Sequence, residues 1–158
     1  MKKLGIETMI GRGRDAIEMI FDQGSVQENV VEQYEFDAEI GPGAVVGTAK
    51  LEDEAVTFIA SDAQAINPRF NVVYFGVIGM EEAYKMALAV YRTMEVDKDK
   101  PLEEKRPIVL IVDTPGNGPG KIEEIIGMNL FVNQASNLEY SSNFSFICFA
   151  LEIFNSNS

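Results

Sequence analysis

The sequence predicts an α/β domain. Three observations carry that expectation: a helix-period segment at 80–94, an unbroken apolar run at 107–112, and a glycine- and proline-rich loop at 113–120 ahead of another helical stretch. Helix, buried strand, glycine loop and helix follow one another as the layers of an α/β fold require. The 158 residues suit one domain. A chain of this size buries about two thirds or more of its unfolded surface, so a core forms without disulfide or metal staples.

Taken in order, the first element is a short amphipathic helix within 11–27. Arg12, Arg14, Asp15 and Glu18 surround the apolar set Ala16, Ile17, Ile20 and Phe21, and Gly24 is the expected stop. The segment 28–39 is acidic and ends at the Gly41-Pro42-Gly43 turn. Two β-branched runs, 44–50 and 55–60, are separated by Glu52-Asp53-Glu54 and predict a β-hairpin. A loop is expected over 61–68, with a short apolar patch at 71–75. Met80, Ala83, Tyr84, Ala87, Val90, Tyr91 and Met94 then recur at three- and four-residue steps, an amphipathic helix of about four turns. Its tyrosine and methionine stripe is expected in the core, with Glu81, Glu82 and Lys85 on the opposite face. A charged, solvated linker is expected over 97–106. The run Ile108-Val109-Leu110-Ile111-Val112 reads as a buried parallel strand, and residues 121–128 as the next helix.

The tail differs in composition. No Lys or Arg follows Lys121, and residues 130–158 hold six of the fifteen aromatics. Phe144, Phe146, Cys148 and Phe149 suit a strand without flanking charges. The expected division is 1–129 as the main part and 130–158 as a divergent tail.

Composition also excludes chemistry. There is no histidine, which removes Ser-His-Asp and Cys-His nucleophile pairs and nearly every catalytic zinc site; no metal is expected. A net charge of −12 argues against nucleic acid. The one cysteine, Cys148, forms no internal disulfide, which fits a cytoplasmic protein, and no apolar stretch has membrane-spanning length. Chemistry would fall to backbone dipoles, carboxylates, hydroxyls, Arg and Lys.

The loop Asp113-Thr114-Pro115-Gly116-Asn117-Gly118-Pro119-Gly120 is where such chemistry is expected, because ligands of open α/β sheets bind beyond the carboxyl ends of strands. Gly116, Gly118 and Gly120 let backbone N–H groups approach an anion. The loop fits equally well as a sharp βα turn whose N–H groups are satisfied by Asp113 or Thr114. It is not a P-loop. Only three residues separate Gly116 from Gly120-Lys121, and Ile122 stands where a hydroxyl would hold magnesium.

The segments 107–116 and 119–127 resemble the carboxyltransferase branch of the crotonase superfamily. The Gly120-x-x-Glu123-Glu124-x-x-Gly127 spacing is closest to the gamma subunit of malonate decarboxylase. Asp113-Thr114-Pro115-Gly116-x-x-Pro119-Gly120 is also similar to the alpha carboxyltransferase subunit of acetyl-CoA carboxylase. Asn67-Pro68-Arg69-Phe70 and Gly76-Val77-Ile78-Gly79-Met80-Glu81-Glu82 resemble the family's Asn-x-Arg-Phe and Gly-x-x-Gly-x-x-Glu segments. Residues 14–28 more weakly resemble the opening helix of carboxyltransferase beta subunits.

The resemblance, over about 44–129, implies a spiral of ββα units, incomplete in this chain. It implies decarboxylation of a malonyl thioester, or transfer of its carboxyl group, through a thioester enolate. The catalytic candidates are the Gly116 and Asn117 donors to the enolate oxygen. Arg69, Phe70, Thr114, Gly118 and Gly120 are the substrate-binding candidates, Arg69 as a bidentate holder of carboxylate or phosphopantetheine phosphate; an Arg of this kind is more commonly solvated or paired with a surface acid. The substrate would be linked to phosphopantetheine or CoA, with no cofactor bound by this chain and biotin used only if the carboxyltransferase alternative holds. A beta-like carboxyltransferase or decarboxylase subunit and an acyl carrier protein are the expected partners. The family's second glycine-bearing segment would begin after Asn129, where the divergent tail stands instead. Of a natural short variant and a truncated or frame-shifted chain, the second is favoured, and little or no catalysis is expected from this chain alone. An acetyl-CoA carboxylase-type carboxyltransferase subunit and a non-catalytic assembly fragment are the alternatives.

Overall fold

The computed structural model describes residues 11–68, 72–73, 78–112 and 146–150. Helix α1 (Gly13–Ile20) is shorter than its sequence suggests. It ends at Phe21 because the next residue is claimed by the sheet. The Asp22 N–H donates to the Lys50 carbonyl at 2.9 Å, and the Asp22 carboxylate accepts the Glu52 and Asp53 N–H groups at 3.3 and 2.8 Å. Gly24, at φ +76°, lies in the turn that follows, which the Ser25 hydroxyl closes onto the Asp22 carbonyl.

Three two-residue strands then occupy the acidic stretch: β1 (Gln27–Glu28), β2 (Val30–Val31) and β3 (Tyr34–Glu35). They are too short to show a period of two, which is why the sequence hides them. The expected hairpin is present as β4 (Ala44–Leu51) and β5 (Glu54–Ser61), paired antiparallel from Ala44↔Ser61 to Leu51↔Glu54. Its two turn residues, Glu52 and Asp53, have φ values of +52° and +68°. Two-residue hairpins of this hand favour glycine at the second position, because a Cβ there crowds the following carbonyl. Asp53→Gly is therefore expected to raise stability by about 0.5–1 kcal/mol, read as a higher urea midpoint; an unchanged or lower midpoint would contradict it.

Residues 61–68 are not wholly loop: β6 (Ile66–Asn67) pairs antiparallel with β7 (Val72–Val73). Helix α2 (Met80–Val96) follows and leads back to β8 (Ile108–Val112), which lies parallel to β5. The apolar run is thus a parallel strand, with Ile108, Val109 and Ile111 buried. In the tail, β9 (Phe146–Ala150) adds to β8 in parallel, giving the sheet order β1-β4-β5-β8-β9.

Side chains alternate across this sheet, as strand geometry dictates. On one face Val45, Ala49, Val56, Phe58, Ala60, Val109 and Ile111 meet Ala16, Ile17 and Phe21 from α1. On the other, Val46, Ile59 and Ile108 meet Ala89 and Val90 from α2. The buried face of α2 corrects the sequence reading. Tyr84 and Tyr91 are 50% and 57% exposed, whereas Glu82 and Lys85 are only 3% and 4% exposed. Small residues at 83, 89 and 93 let the helix lie close to its neighbours, and the bulky rings are turned outward.

The 97–106 segment is likewise more than a solvated linker. Asp97 is fully buried and accepts the Arg106 N–H at 2.6 Å, Lys100 pairs with it at 2.7 Å, and the Arg106 side chain pairs with Glu32. Among the described residues, no helix is long and apolar enough to cross a membrane.

Candidate functional site

Because β5 and β8 are parallel, with Ala60 opposite Ile111, their carboxyl ends lie side by side. β8 ends at Val112, one residue beyond the Ala60↔Ile111 pair. The start of α2 is at the same end: Asp62 donates its N–H to the Gly43 carbonyl at 2.9 Å, and the Gly43 N–H is bonded by the Glu82 carboxylate. Strand ends, a tight turn and a helix N-terminus therefore meet where α/β folds bind ligands.

The approach is close. A Cβ on Gly13 would stand 2.2 Å from the Ser61 carbonyl oxygen, so only glycine lets α1 begin against the end of β5. One residue on, Arg14 pairs with the buried Asp62 at 2.9 Å and with Glu28 at 3.4 Å. Asp62 also accepts the Gln64 N–H at 3.0 Å and so shapes the exit of β5.

Glu82 takes the third position of α2 and accepts the backbone N–H groups of Gly79, Gly43 and Glu82 itself. This is half of a capping box, in which the helix N-terminus is satisfied by its own carboxylate. Burial pushes the Glu82 pKa up from its ordinary value near 4.5, and those backbone donors only partly oppose the shift. Lys85, one turn further, is held below its ordinary value by burial first and then by Arg14, against the attraction of Glu82, Asp37 and Glu28. The sequence spacing alone did not reveal Asp62, Glu82 or Lys85 as buried charges. The Gly79-x-x-Glu82 pattern was the available signal for the cap.

The raised pKa has a testable sign. A carboxyl that holds its proton more tightly when folded favours the folded state below the unfolded pKa, and that contribution is lost as pH rises through the folded value. The stability difference between the wild type and Glu82→Gln is expected to shrink steadily above pH 4.5. Parallel urea titrations at several pH values check this, and a difference that grows with pH would refute it.

The residues singled out by motif, Arg69, Phe70, Thr114, Gly116, Asn117, Gly118 and Gly120, lie outside the described residues, as does the helix expected over 121–128. The described elements do fix their attachments. Residues 68–71 join β6 to β7, and 113–120 follow β8 at the end of the sheet just described. The start of α2 is satisfied by the Glu82 carboxylate.

An α/β sheet carrying its candidate site beyond parallel strand ends is the class these features define. The carboxyl transferase domain model matches residues 11–129, and the chain belongs to that family. It is 63% identical over 125 residues to the malonyl-S-ACP:biotin-protein carboxyltransferase MADD of Malonomonas rubra, a match covering 78% of this chain and 43% of that protein. The chain thus spans less than half of this relative. Among solved structures, the Pseudomonas malonate decarboxylase MdcD-MdcE hetero-dimer matches at 28% identity with a TM-score of 0.57, over 67% of this chain and 42% of that one. The transcarboxylase 12S core matches at 20% identity with a TM-score of 0.65, over 93% of this chain and 24% of that one, and shows the fold. The architecture is that of the crotonase-like carboxyltransferases, as its motifs imply.

Proposed function

We propose that this chain is a gamma-like subunit of a malonate decarboxylase system that acts on a malonyl thioester carried by acyl carrier protein. The observation that carries this reading is the 63% identity to a malonyl-S-ACP:biotin-protein carboxyltransferase. It is joined to a glycine loop at the carboxyl end of a buried parallel strand.

The chemistry suits a chain without histidine. The C–C bond to the malonyl carboxylate breaks, its electron pair moves onto the thioester carbonyl, and an enolate forms as carbon dioxide leaves. Backbone N–H groups at Gly116 and Asn117 bond the enolate oxygen, and Arg69 holds carboxylate or phosphate. In decarboxylation, C2 of the enolate takes a proton from solvent. In carboxyl transfer, the carbon dioxide is captured by the ureido nitrogen of a biotin carried on another chain, and the proton displaced there goes to C2. No cofactor needs to reside in this chain for either outcome. The hetero-dimer and the ACP-dependent relative support a beta-like subunit and an acyl carrier protein as partners.

The test is reconstitution with a beta-like subunit and malonyl-acyl carrier protein, with and without a biotinylated carrier. Carboxybiotin formation identifies the transferase, and carbon dioxide release without biotin identifies the decarboxylase. Assembly without either product would reduce the chain to an assembly role.

A further inference from the structure

We propose that Glu82 and Lys85 form a proton-sensitive latch on the segment 37–43, which the first turn of α2 grips beside the end of β5. The latch concerns the opening of this segment and is independent of the malonyl-thioester reading. Two adjacent carboxylates make the grip. Glu81 Oε2 accepts the Gly41 N–H at 3.2 Å, and Glu82 accepts the Gly43 N–H. Gly41, at φ +54°, rests on the helix backbone: a Cβ there would stand 2.7 Å from the Glu81 carbonyl carbon. Gly43 covers the Glu82 carboxylate, with space for a Cβ only 3.4 Å from Oε1, and its carbonyl accepts the Asp62 N–H. Ahead of this pinned base, residues 37–40 are exposed, and Lys85 attracts Asp37.

Buried charge makes this grip conditional. Glu82 and Lys85 are both taken out of water, and a buried charge is unfavourable unless it is closely paired. The ion pairs of this region belong instead to Arg14, with Asp62 and Glu28. The charged groups facing the pair are Arg14 from α1, Glu28 from β1, Asp37 after β3, Asp62 at the end of β5, and Glu81. Lifting Gly43 away returns the Glu82 carboxylate to water. Ionised Glu82 therefore favours the open segment and protonated Glu82 the closed one, in line with the upward push that burial gives its pKa. The segment is held tightest in acid and loosens as pH rises from 4.5 through the folded value of Glu82. Lys85 sets where this occurs, because its charge attracts ionised Glu82 and keeps that folded value from rising further. Loosening towards neutral pH gives the strand-end rim the local freedom that binding segments use.

Amide hydrogen exchange of the full chain between pH 4.5 and neutrality, corrected for intrinsic rates, tests this. The Gly41 and Gly43 amides are expected to exchange by local opening, with protection at least about tenfold below that of Phe58 and Ile59 in the centre of β5. Glu82→Gln stays neutral and keeps one acceptor oxygen. The ratio of wild-type to Glu82→Gln protection at Gly43 is expected to fall by about twofold or more as pH rises, because the closed state binds the proton more tightly. In Lys85→Met the fall moves to higher pH. Protection at Gly41 and Gly43 equal to that at Phe58 overturns the latch, since these amides then open only with the whole fold. A ratio that stays constant or rises with pH, or a fall that Lys85→Met leaves in place, overturns it as well. Should Glu82→Gln fail to fold, the wild-type ratio of Gly43 to Phe58 protection decides: it falls with pH if the latch operates, and a constant or rising ratio overturns it.

Discussion

Phe58→Ala is expected to cost about 3–5 kcal/mol of unfolding free energy, the range for emptying a fully buried aromatic site. Phe58 has no exposed surface, and its ring lies 5.3 Å from that of Phe21, so it joins α1 to the central strand β5. It also lies over Gly47, where a Cβ would come within 2.8 Å of the ring and 2.2 Å of the Gln27 carbonyl oxygen. The missing side chain at 47 and the large one at 58 are therefore one packing decision, made on opposite members of a β4–β5 pair. Removing the ring leaves a cavity against a glycine that has nothing to fill it. Domains are commonly stable by only about 5–15 kcal/mol, so the variant should show a much lower urea midpoint or fail to fold. A loss below about 1 kcal/mol would contradict the account of the core, since it falls outside the range for such truncations.

The second large effect concerns catalysis. In the proposed reading, the Asn117 backbone N–H, and not its side chain, stabilises the enolate oxygen. Asn117→Pro removes that donor and is expected to lower turnover of the reconstituted complex by about 10²–10³, the usual consequence of losing one oxyanion donor. Asn117→Ala keeps the backbone N–H and should stay close to the wild type. Comparable losses in both variants would assign the role to the side-chain amide, and no loss in Asn117→Pro would remove this residue from the site.

The fold was legible wherever a period ran long enough. The hairpin 44–61, the helix at 80 and the strand at 108 each repeat a pattern over five or more residues, and each is present. The two-residue strands β1–β3, β6 and β7 carry no such pattern. They exist because longer neighbours supply pairing partners. Helix α1 ends earlier than its pattern predicts for a related reason: nothing in residues 21–27 announces that Asp22 caps a turn thirty residues away. Hydrophobicity ranks Tyr84 and Tyr91 above Glu82 and Lys85, yet burial on α2 runs the other way. Close packing and hydrogen bonding decided otherwise, and a carboxylate with backbone donors is tolerated where a ring does not fit. As for the candidate site, the order of strand and glycine loop predicts a place at the parallel strand ends, while the roles proposed for Gly116, Asn117 and Arg69 rest on motif resemblance. The charged cluster of Arg14, Asp62, Glu82 and Lys85 was invisible, because its members are scattered from 14 to 85 and meet only once both helices are docked.

The most direct measurement of the central claim is malonyl-thioester turnover by a beta-like subunit at fixed concentration as this chain is titrated in. The account predicts no product from this chain alone and a rise in acetyl-thioester formation that saturates near equimolar ratio. Turnover by this chain alone would contradict its dependence on a beta-like partner, and a rate that never responds to its addition would contradict its place in the reaction.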